Sequence, residues 1–171
     1  MSLAAAPGPS GQLVSPRLHI ALVHPEIPQN TGNIGRLCVG IEARLHLVRP
    51  LGFSLDEKAV RRAGIDHWRR VDLRVWDSID AFLDWTVDRR VHALTRHAPR
   101  CLAQAELQRG DVLVFGREST GLPPELRQRL PCLRIPIPGP VRSLNLSNAV
   151  AVAAYRAIES FEPSLFLELP G

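Results

Sequence analysis

Residues Arg142–Val152 read RSLNLSNAVAV, a cluster of serine and asparagine that runs directly into small apolar residues. The apolar positions that follow recur at near-helical spacing, which predicts a helix over about Leu146–Ser160. Asn145 or Ser147 can cap the first turn of this helix. Side-chain donors and acceptors then lie beside the free N–H groups of a helix start, a combination that binds polar ligands. A cap without any ligand is the alternative interpretation of this stretch alone.

Upstream of this stretch, short apolar runs alternate with helical patterns. Such alternation is typical of an α/β domain with a largely parallel sheet. The predicted strands are Leu18–Val23, Leu45–Val48, Leu73–Trp76, Val91–Thr95, Val112–Phe115 and the proline-interrupted Leu133–Ile137. The earlier predicted helices are Asn30–Ile41, Leu55–Ala63 and Ser78–Val87.

Length and composition limit the class of protein. The 171 residues suit one domain with a full core, and 45% hydrophobic with 22% charged residues is ordinary for a soluble globular protein. No apolar run is long enough to span a membrane. Met1–Pro16 is rich in Ala, Pro, Gly and Ser and lacks the pattern of a secretory signal, so residues 1–17 are predicted to be a disordered arm.

The cysteines and histidines give no sign of a metal site. Cys38, Cys101 and Cys132 are odd in number and far apart, which argues against a disulfide framework and a structural zinc site. The six histidines lack the spacing of a helical metal pair. We therefore expect no metal and a reducing, cytoplasmic location.

The basic residues are almost all arginines, and the net charge is +4. Three arginine doublets stand out, namely Arg61-Arg62, Arg69-Arg70 and Arg89-Arg90. A guanidinium fork suits phosphate, so the doublets favour a nucleic-acid partner. A skewed coding composition that replaces lysine by arginine everywhere is the alternative explanation.

Three loops follow predicted strands, and ligands of parallel sheets bind beyond the carboxyl ends of the strands. The first loop is His24–Arg36 and the second is Gly116–Pro123. The third, Pro136–Pro140, leads into the serine and asparagine cluster, and its prolines restrict the backbone. These loops are the predicted ligand site.

Together the loops resemble the motifs of the knotted SPOUT methyltransferases, and most closely the TrmL/YibK branch that 2′-O-methylates the wobble nucleotide of tRNA. The motifs are PEIPQNTGNIGRLC (Pro25–Cys38), FGRESTGLP (Phe115–Pro123) and RIPIPGPVRSLNLSNAVAVAAY (Arg134–Tyr155), and RRAGIDHW (Arg61–Trp68) also resembles that branch. The likeness extends from Leu18 to about Ser160. We therefore expect a methyltransferase domain over residues 18–160 and a C-terminal tail over residues 161–171.

The resemblance implies a parallel sheet with helices on both faces and a deep C-terminal trefoil knot. It also implies an obligate homodimer whose active sites lie at the subunit interface, with S-adenosylmethionine bound by the knotted loops. The implied reaction is 2′-O-methylation of the ribose of the wobble pyrimidine, cytidine or uridine 34, in tRNA.

The site residues implied by the resemblance form two groups. The polar set around the reacting centre is Arg36, Asn30, Glu118 and Asn145. The cofactor-binding set is Leu94, Thr95, Gly116, Ile135, Ser143 and Leu144. Tyr155 aligns with a tyrosine of the branch near the site. The chain departs from the branch at Arg117, where proline is frequent, at Ser119-Thr120, which replaces a pair that often includes a basic residue, and at Gly40.

Arg36 is the residue expected to matter most for catalysis. The family is often described as using this arginine as the base, but a guanidinium stays protonated near neutral pH. The easier hypothesis is that Arg36 grips the phosphate beside the target ribose and stabilises developing alkoxide charge. A surface arginine without a role is the alternative, as are a helix-start acid for Glu118 and a simple cap for Asn145.

Three other functions compete with this interpretation. The same 2′-O-methylation can act on rRNA or on another tRNA position, although such enzymes often carry an additional RNA-binding domain. A non-catalytic RNA- or nucleotide-binding module on the same scaffold is the second. A nicotinamide-dependent Rossmann enzyme is disfavoured, because no G-x-G-x-x-G follows the first predicted strand.

Overall fold

A computed structural model describes residues 12–55 and 68–167. Most of the predicted helix Leu55–Ala63, the doublet Arg61-Arg62 and the start of the predicted arm lie outside the described residues.

The described strands form one seven-stranded sheet in which every pairing is parallel. The strands are β1 (His19–Val23), β2 (Arg44–Val48), β3 (Leu73–Trp76), β4 (Val91–Leu94), β5 (Arg100–Cys101), β6 (Val112–Phe115) and β7 (Cys132–Arg134). Their order across the sheet is β3-β2-β1-β6-β4-β7-β5. The parallel α/β architecture predicted from the sequence is therefore confirmed.

Helices cover both faces of this sheet. They are α1 (Pro28–Gly40), α2 (Ile79–Thr86), α3 (Pro124–Arg129) and α4 (Leu146–Phe161), with 3₁₀ turns at Trp68–Arg70, Leu102–Gln104 and Pro163–Phe166. One hydrophobic cluster joins α1 and α4 to the first face, through Ile34 and Val150 among others. A second cluster joins α2 and α3 to the opposite face, through Phe82 and Leu126.

The sequence of β1, HIALV, shows how one strand serves both cores. All five of its residues are buried. Side chains alternate between the faces of a strand, so Ile20 and Leu22 enter the first cluster while Ala21 and Val23 enter the second. A strand buried on both faces reads as a continuous apolar run, which is why the sequence pattern identified it.

The boundaries of most elements agree with the sequence predictions, and the differences have physical causes. The strand predicted over Leu133–Ile137 ends at Arg134. Pro136 lies two residues further on, and proline has no N–H to donate to a neighbouring strand. The unpredicted β5 and α3 contain only two and six residues, too few to produce a periodic pattern.

Residues near the start of the described chain are tied to the rest of the fold. The N–H of Leu13 donates to Asp72 Oδ2 at 3.0 Å, and Arg44 donates to the carbonyl of Leu13 at 2.8 Å. Arg17 forms ion pairs with Glu42 and with Glu162, which follows α4. The division into an arm, a domain and a tail stays a prediction.

The sheet order decides where a ligand site can form. β1, β6, β4 and β7 are consecutive neighbours and run in the same direction, so the loops after them converge at one edge of the sheet. In the described part of the chain, no helix combines the length and apolar character needed to cross a membrane.

Candidate functional site

A cavity of about 470 Å³ opens where the loops after β1, β4, β6 and β7 meet the start of α4. Its walls combine apolar side chains, such as Leu94, Ile135 and Leu144, with the polar Asn30 and Glu118. Its volume lies within the roughly 300–1,000 Å³ that is typical of small-molecule sites.

Four polar residues from three elements form a hydrogen-bonded line along this cavity, called here the asparagine line. Ser147 donates its N–H (2.9 Å) and its hydroxyl (2.7 Å) to Asn145 Oδ1. Asn145 Nδ2 donates to Asn30 Oδ1 at 3.0 Å, and Asn30 Nδ2 donates to Glu118 Oε1 at 3.0 Å. The line joins the start of α4, the first turn of α1 and the loop after β6.

The start of α1 has no side-chain cap of its own, and Glu118 supplies acceptors from the loop after β6. The carboxylate of Glu118 accepts from the N–H groups of Glu26 (2.8 Å) and Ile27 (3.3 Å). Glu26 in turn accepts from the N–H (2.9 Å) and the hydroxyl (2.8 Å) of Ser119. These bonds from Ser119 lower the pKa of Glu26. Each of the two loops thus supplies a carboxylate that accepts hydrogen bonds from the other loop.

Gly116 makes the tight path of the second loop feasible. A Cβ at this position would come within 2.1 Å of both Gly121 C and Leu122 N. No real side chain tolerates such a distance, so the loop can fold back on itself only with glycine here. Gly121, with φ of 74°, completes the turn.

Arg117 and His24 form a contact at the same edge of the sheet. Arg117 Nη2 lies 2.7 Å from His24 Nδ1. Burial and the charge of Arg117 lower the pKa of His24, which favours a neutral ring that accepts the hydrogen bond. Arg117 also lines the cavity, so the contact orients a cationic group at its wall.

Residues 17–155 match the SpoU rRNA methylase family. The chain belongs to this family. Its parallel sheet with helices on both faces agrees with solved SpoU methyltransferases of low sequence identity. One is AviRb from Streptomyces viridochromogenes in complex with AdoMet, at 21% identity and a TM-score of 0.73, covering 86% of this chain and 58% of that chain. At this identity the likeness concerns the fold alone.

More similar relatives of this SpoU-family chain have specific names. A tRNA (cytidine(34)-2′-O)-methyltransferase of Aeromonas hydrophila is 46% identical over 143 residues, covering 82% of this chain and 92% of that protein. One from an Acidovorax species is 48% identical over 144 residues, covering 81% and 89%. A solved structure described by the 2-OH methylation of C/U34 on tRNA is 50% identical with a TM-score of 0.80, covering 84% of this chain and 95% of that chain.

The structure brings nearly all predicted site residues of this SpoU methylase to one cavity. The residues that line it include all six of the predicted cofactor set: Leu94, Thr95, Gly116, Ile135, Ser143 and Leu144. Asn30, Glu118 and Asn145 of the predicted polar set line it as well. Their roles stay predictions, but their convergence is a property of the fold.

Arg36 and Tyr155 do not line the cavity of the single chain. Arg36 is exposed on α1, six residues beyond Asn30 and therefore about 9 Å further along the helix axis. It makes no hydrogen bond or ion pair with any residue that the structure describes. Tyr155 is 49% exposed on α4, with its ring 6.1 Å from that of Phe166.

Sequence reasoning missed several charged residues at the cavity. Arg96 and His97 line it directly after β4, and a search of every strand end for charged residues would have identified them. Arg127 lines it from α3, which the sequence pattern did not predict. Its buried Nε has no hydrogen-bond partner among the described residues, so this wall retains an unused donor.

Proposed function

We propose that the chain transfers a methyl group from S-adenosylmethionine to the ribose 2′-hydroxyl of the wobble pyrimidine, cytidine or uridine 34, of tRNA. The asparagine line beside the cavity is the observation that carries the proposal. It sets amide and carboxylate groups from three elements along a wall that the cofactor set also lines. The names and the high identity of the relatives support the choice of substrate.

The residues present fit S-adenosylmethionine, which combines an adenine base, whose ring faces suit apolar contacts, with polar and charged groups. Leu94, Ile135 and Leu144 offer apolar walls for the base. Thr95 and Ser143 offer polar groups, and the unused Nε of Arg127 matches a carboxylate. When bound, the cofactor supplies an activated methyl group, and we expect no metal to be needed.

The chain's own residues then have two tasks, to align the ribose and to handle the charge that develops on its hydroxyl. Asn30 and Asn145 hold each other in place, so their amide groups are preorganised for hydrogen bonds to the nucleotide. Glu118 fixes Asn30 and the start of α1. Arg36 grips the phosphate beside the target ribose, and phosphate or another group accepts the proton.

A homodimer is part of the proposal, because a single chain leaves Arg36 away from the cavity. Val152 and Tyr155 are 46% and 49% exposed on α4, which packs against α1, and Phe166 beside them is 46% exposed. Adjacent exposed apolar side chains of this kind mark interaction surfaces. A second subunit on this side would cover them and enclose the exposed face of α1. A monomer at micromolar concentration in sedimentation would contradict this part of the proposal.

Three further features complete the proposal. The resemblance of the chain to the SPOUT methyltransferases supports a deep C-terminal trefoil knot. The scattered cysteines support a cytoplasmic location. We also keep the division into an arm over residues 1–17, a domain over 18–160 and a tail over 161–171.

The test uses the purified protein, radiolabelled S-adenosylmethionine, and total tRNA and rRNA from cells that lack the gene. Digestion of the labelled RNA locates the methyl group. We expect label on the ribose of a tRNA wobble pyrimidine, with loss of label in Arg36→Ala. Label on rRNA or on another tRNA position would keep the chemistry and change the substrate. Cofactor binding without label on any RNA would favour a non-catalytic binding module.

Arg36→Lys tests the proposed role of the guanidinium. Lysine keeps the charge but cannot bind phosphate with two parallel hydrogen bonds, so we expect turnover to fall by about tenfold or more. Arg129→Lys, an exposed arginine on α3, is the matched control and should keep normal turnover. Near-normal turnover of Arg36→Lys would argue against a two-point phosphate grip.

A further inference from the structure

A second group of arginines lies on the face of the sheet that α2 and α3 cover, away from the asparagine line. Arg74 of β3 places its Cζ 3.8 Å from the centroid of the Trp76 ring. Arg89, shortly after α2, places its Cζ 4.2 Å from the Trp85 ring centroid, and the two tryptophan rings lie 5.5 Å apart. We call these four residues the Arg/Trp platform.

Buried histidines hold the rings of the Arg/Trp platform in place. Trp76 Nε1 donates to His46 Nδ1 at 3.1 Å, and the Trp85 ring lies 4.5 Å from the His46 ring. His46 is fully buried and Trp76 is 7% exposed. The rings therefore have fixed positions, and stacking on them restricts the motion of the guanidinium groups before any ligand binds.

No carboxylate of the described residues pairs with the positive charge of the platform. Arg74 and Arg89 are both exposed, and neither forms an ion pair with a carboxylate of the described residues. The neighbouring Arg44 already uses Asp72, at 2.9 Å. Burial, followed by the charges of Arg44 and Arg89, lowers the pKa of Arg74.

The structure separates the two members of the doublet Arg89-Arg90. Arg90 donates to Asp111 Oδ1 at 2.9 Å and to the carbonyl of Glu106 at 2.6 Å, so its role is structural. The guanidinium of Arg89 stacks on the Trp85 ring and forms no hydrogen bond or ion pair with the described residues. Only one arginine of the pair is thus available to an external anion.

Two stacked guanidinium groups whose N–H groups pair with no described residue match the oxygens of phosphate groups. β2 and β1 lie between β3 and β6, so β3 is about 15 Å from the loop that carries Glu118, at roughly 4.8 Å per strand. A ligand on the platform is therefore distant from the nucleotide that reacts.

We propose that the Arg/Trp platform binds the phosphate backbone of the RNA substrate away from the target nucleotide. This inference rests on the proposed function for the identity of the RNA. The contact adds affinity and orientation without reading sequence, because phosphate groups are the same along the chain.

The experiment measures direct binding of unmodified tRNA to the full-length protein over a series of KCl concentrations. The platform variant is Arg74→Gln with Arg89→Gln. The control is Arg100→Gln with Arg129→Gln, two exposed arginines elsewhere, so that both variants lose the same net charge. We expect the platform variant to bind about tenfold more weakly. Its plot of log affinity against log salt should flatten by about two units, at about 0.9 per phosphate contact.

An unchanged salt dependence in the platform variant, or the same loss in the control, would overturn the proposal. Arg89→Gln alone, compared with Arg129→Gln alone, guards against misfolding, because Arg89 is exposed and lies outside the sheet. The slope of its salt dependence should fall by about one unit. Methyl transfer is measured separately. A protein that methylates tRNA with an unaltered slope refutes the platform alone, whereas failure to methylate any RNA refutes the proposed function.

Discussion

Two hydrogen-bonded lines join elements that are far apart in the chain, and they differ in almost every other property. The asparagine line connects α4, α1 and the loop after β6 along the wall of a cavity, and it ends on the carboxylate of Glu118. The second line, called here the histidine line, connects neighbouring strands. Trp76 donates to His46, and His46 Nε2 lies 2.9 Å from His19 Nδ1.

The side chains of the histidine line are buried and uncharged. Indole N–H can only donate, so His46 Nδ1 accepts and its Nε2–H donates to His19. Burial, then the charges of Arg89 and Arg44, lower the pKa of His19 to about 4, and burial lowers that of His46 well below its usual value. The asparagine line instead borders open space and includes a charged acid. We therefore expect changes in the first line to alter stability and changes in the second to alter ligand binding and turnover.

The largest expected effect comes from Gly116→Ala, which would break the cavity that the asparagine line borders. A Cβ would stand 2.1 Å from Gly121 C, so the backbone of the second loop must move. We expect S-adenosylmethionine binding to fall below detection in calorimetry.

Gly40→Ala is the matched control, because nothing lies within 4 Å of the corresponding Cβ. Its binding and melting temperature should stay normal. Normal cofactor binding by Gly116→Ala would mean that the loop adapts and that the cavity does not depend on its present path.

The histidine line predicts a loss of stability in acid. His19 has a pKa of about 4 when folded against 6.5 in the unfolded chain. The unfolded state therefore binds more protons between these values. His19 causes no loss in the free energy of unfolding above about pH 6.5, and the free energy of unfolding decreases as the pH falls toward 4. One such histidine lowers the free energy of unfolding by about 3 kcal/mol across this window, and His46 lowers it in the same direction.

Urea unfolding at several pH values measures this loss. His19→Gln should flatten the pH dependence. An equally steep dependence in His19→Gln would show that other groups cause the acid sensitivity.

Glu118→Ala tests the charged end of the asparagine line. It removes the acceptor of three N–H donors, two from the backbone before α1 and one from Asn30. We expect turnover to fall by about 30-fold, equivalent to about 2 kcal/mol, because Asn30 loses its fixed orientation.

Glu118→Gln should recover part of this turnover, since one side-chain oxygen remains as an acceptor. Glu125→Ala, an exposed acid at the start of α3, is the control and should be neutral. If Glu118→Ala lost stability but kept turnover, the asparagine line would be structural like the histidine line.

Ser147→Ala should have the smallest effect. It removes the hydroxyl bond to Asn145 Oδ1 but keeps the N–H bond to the same oxygen. We expect turnover to fall about threefold, or roughly 0.6 kcal/mol, in steady-state kinetics. Ser160→Ala on the same helix is the control, and a decrease of equal size there would remove Ser147 from the line.

Much of the site was readable in the sequence because its residues lie in local motifs. Asn30, Glu118 and Asn145 each follow a strand or precede a helix, where sequence patterns indicate ligand groups. Arg127 escaped because α3 is too short to give a periodic pattern. The Arg/Trp platform was not predicted from the sequence because stacking depends on the positions of the rings in space, and Trp85 and Arg74 share no motif.

The sequence alone determines the buried strands, the tight turn of the second loop and the cap of α4. Each depends on a local property, namely the period of apolar residues, the backbone freedom of glycine or the capping ability of asparagine. The strand order and register are not local. They bring Asn30 to Glu118 across 88 positions of sequence and Asn145 to Asn30 across 115. They also leave Arg36 outside the cavity of a single chain and leave Arg74 and Arg89 without an ion pair among the described residues, because distances between distant residues depend on packing rather than on composition.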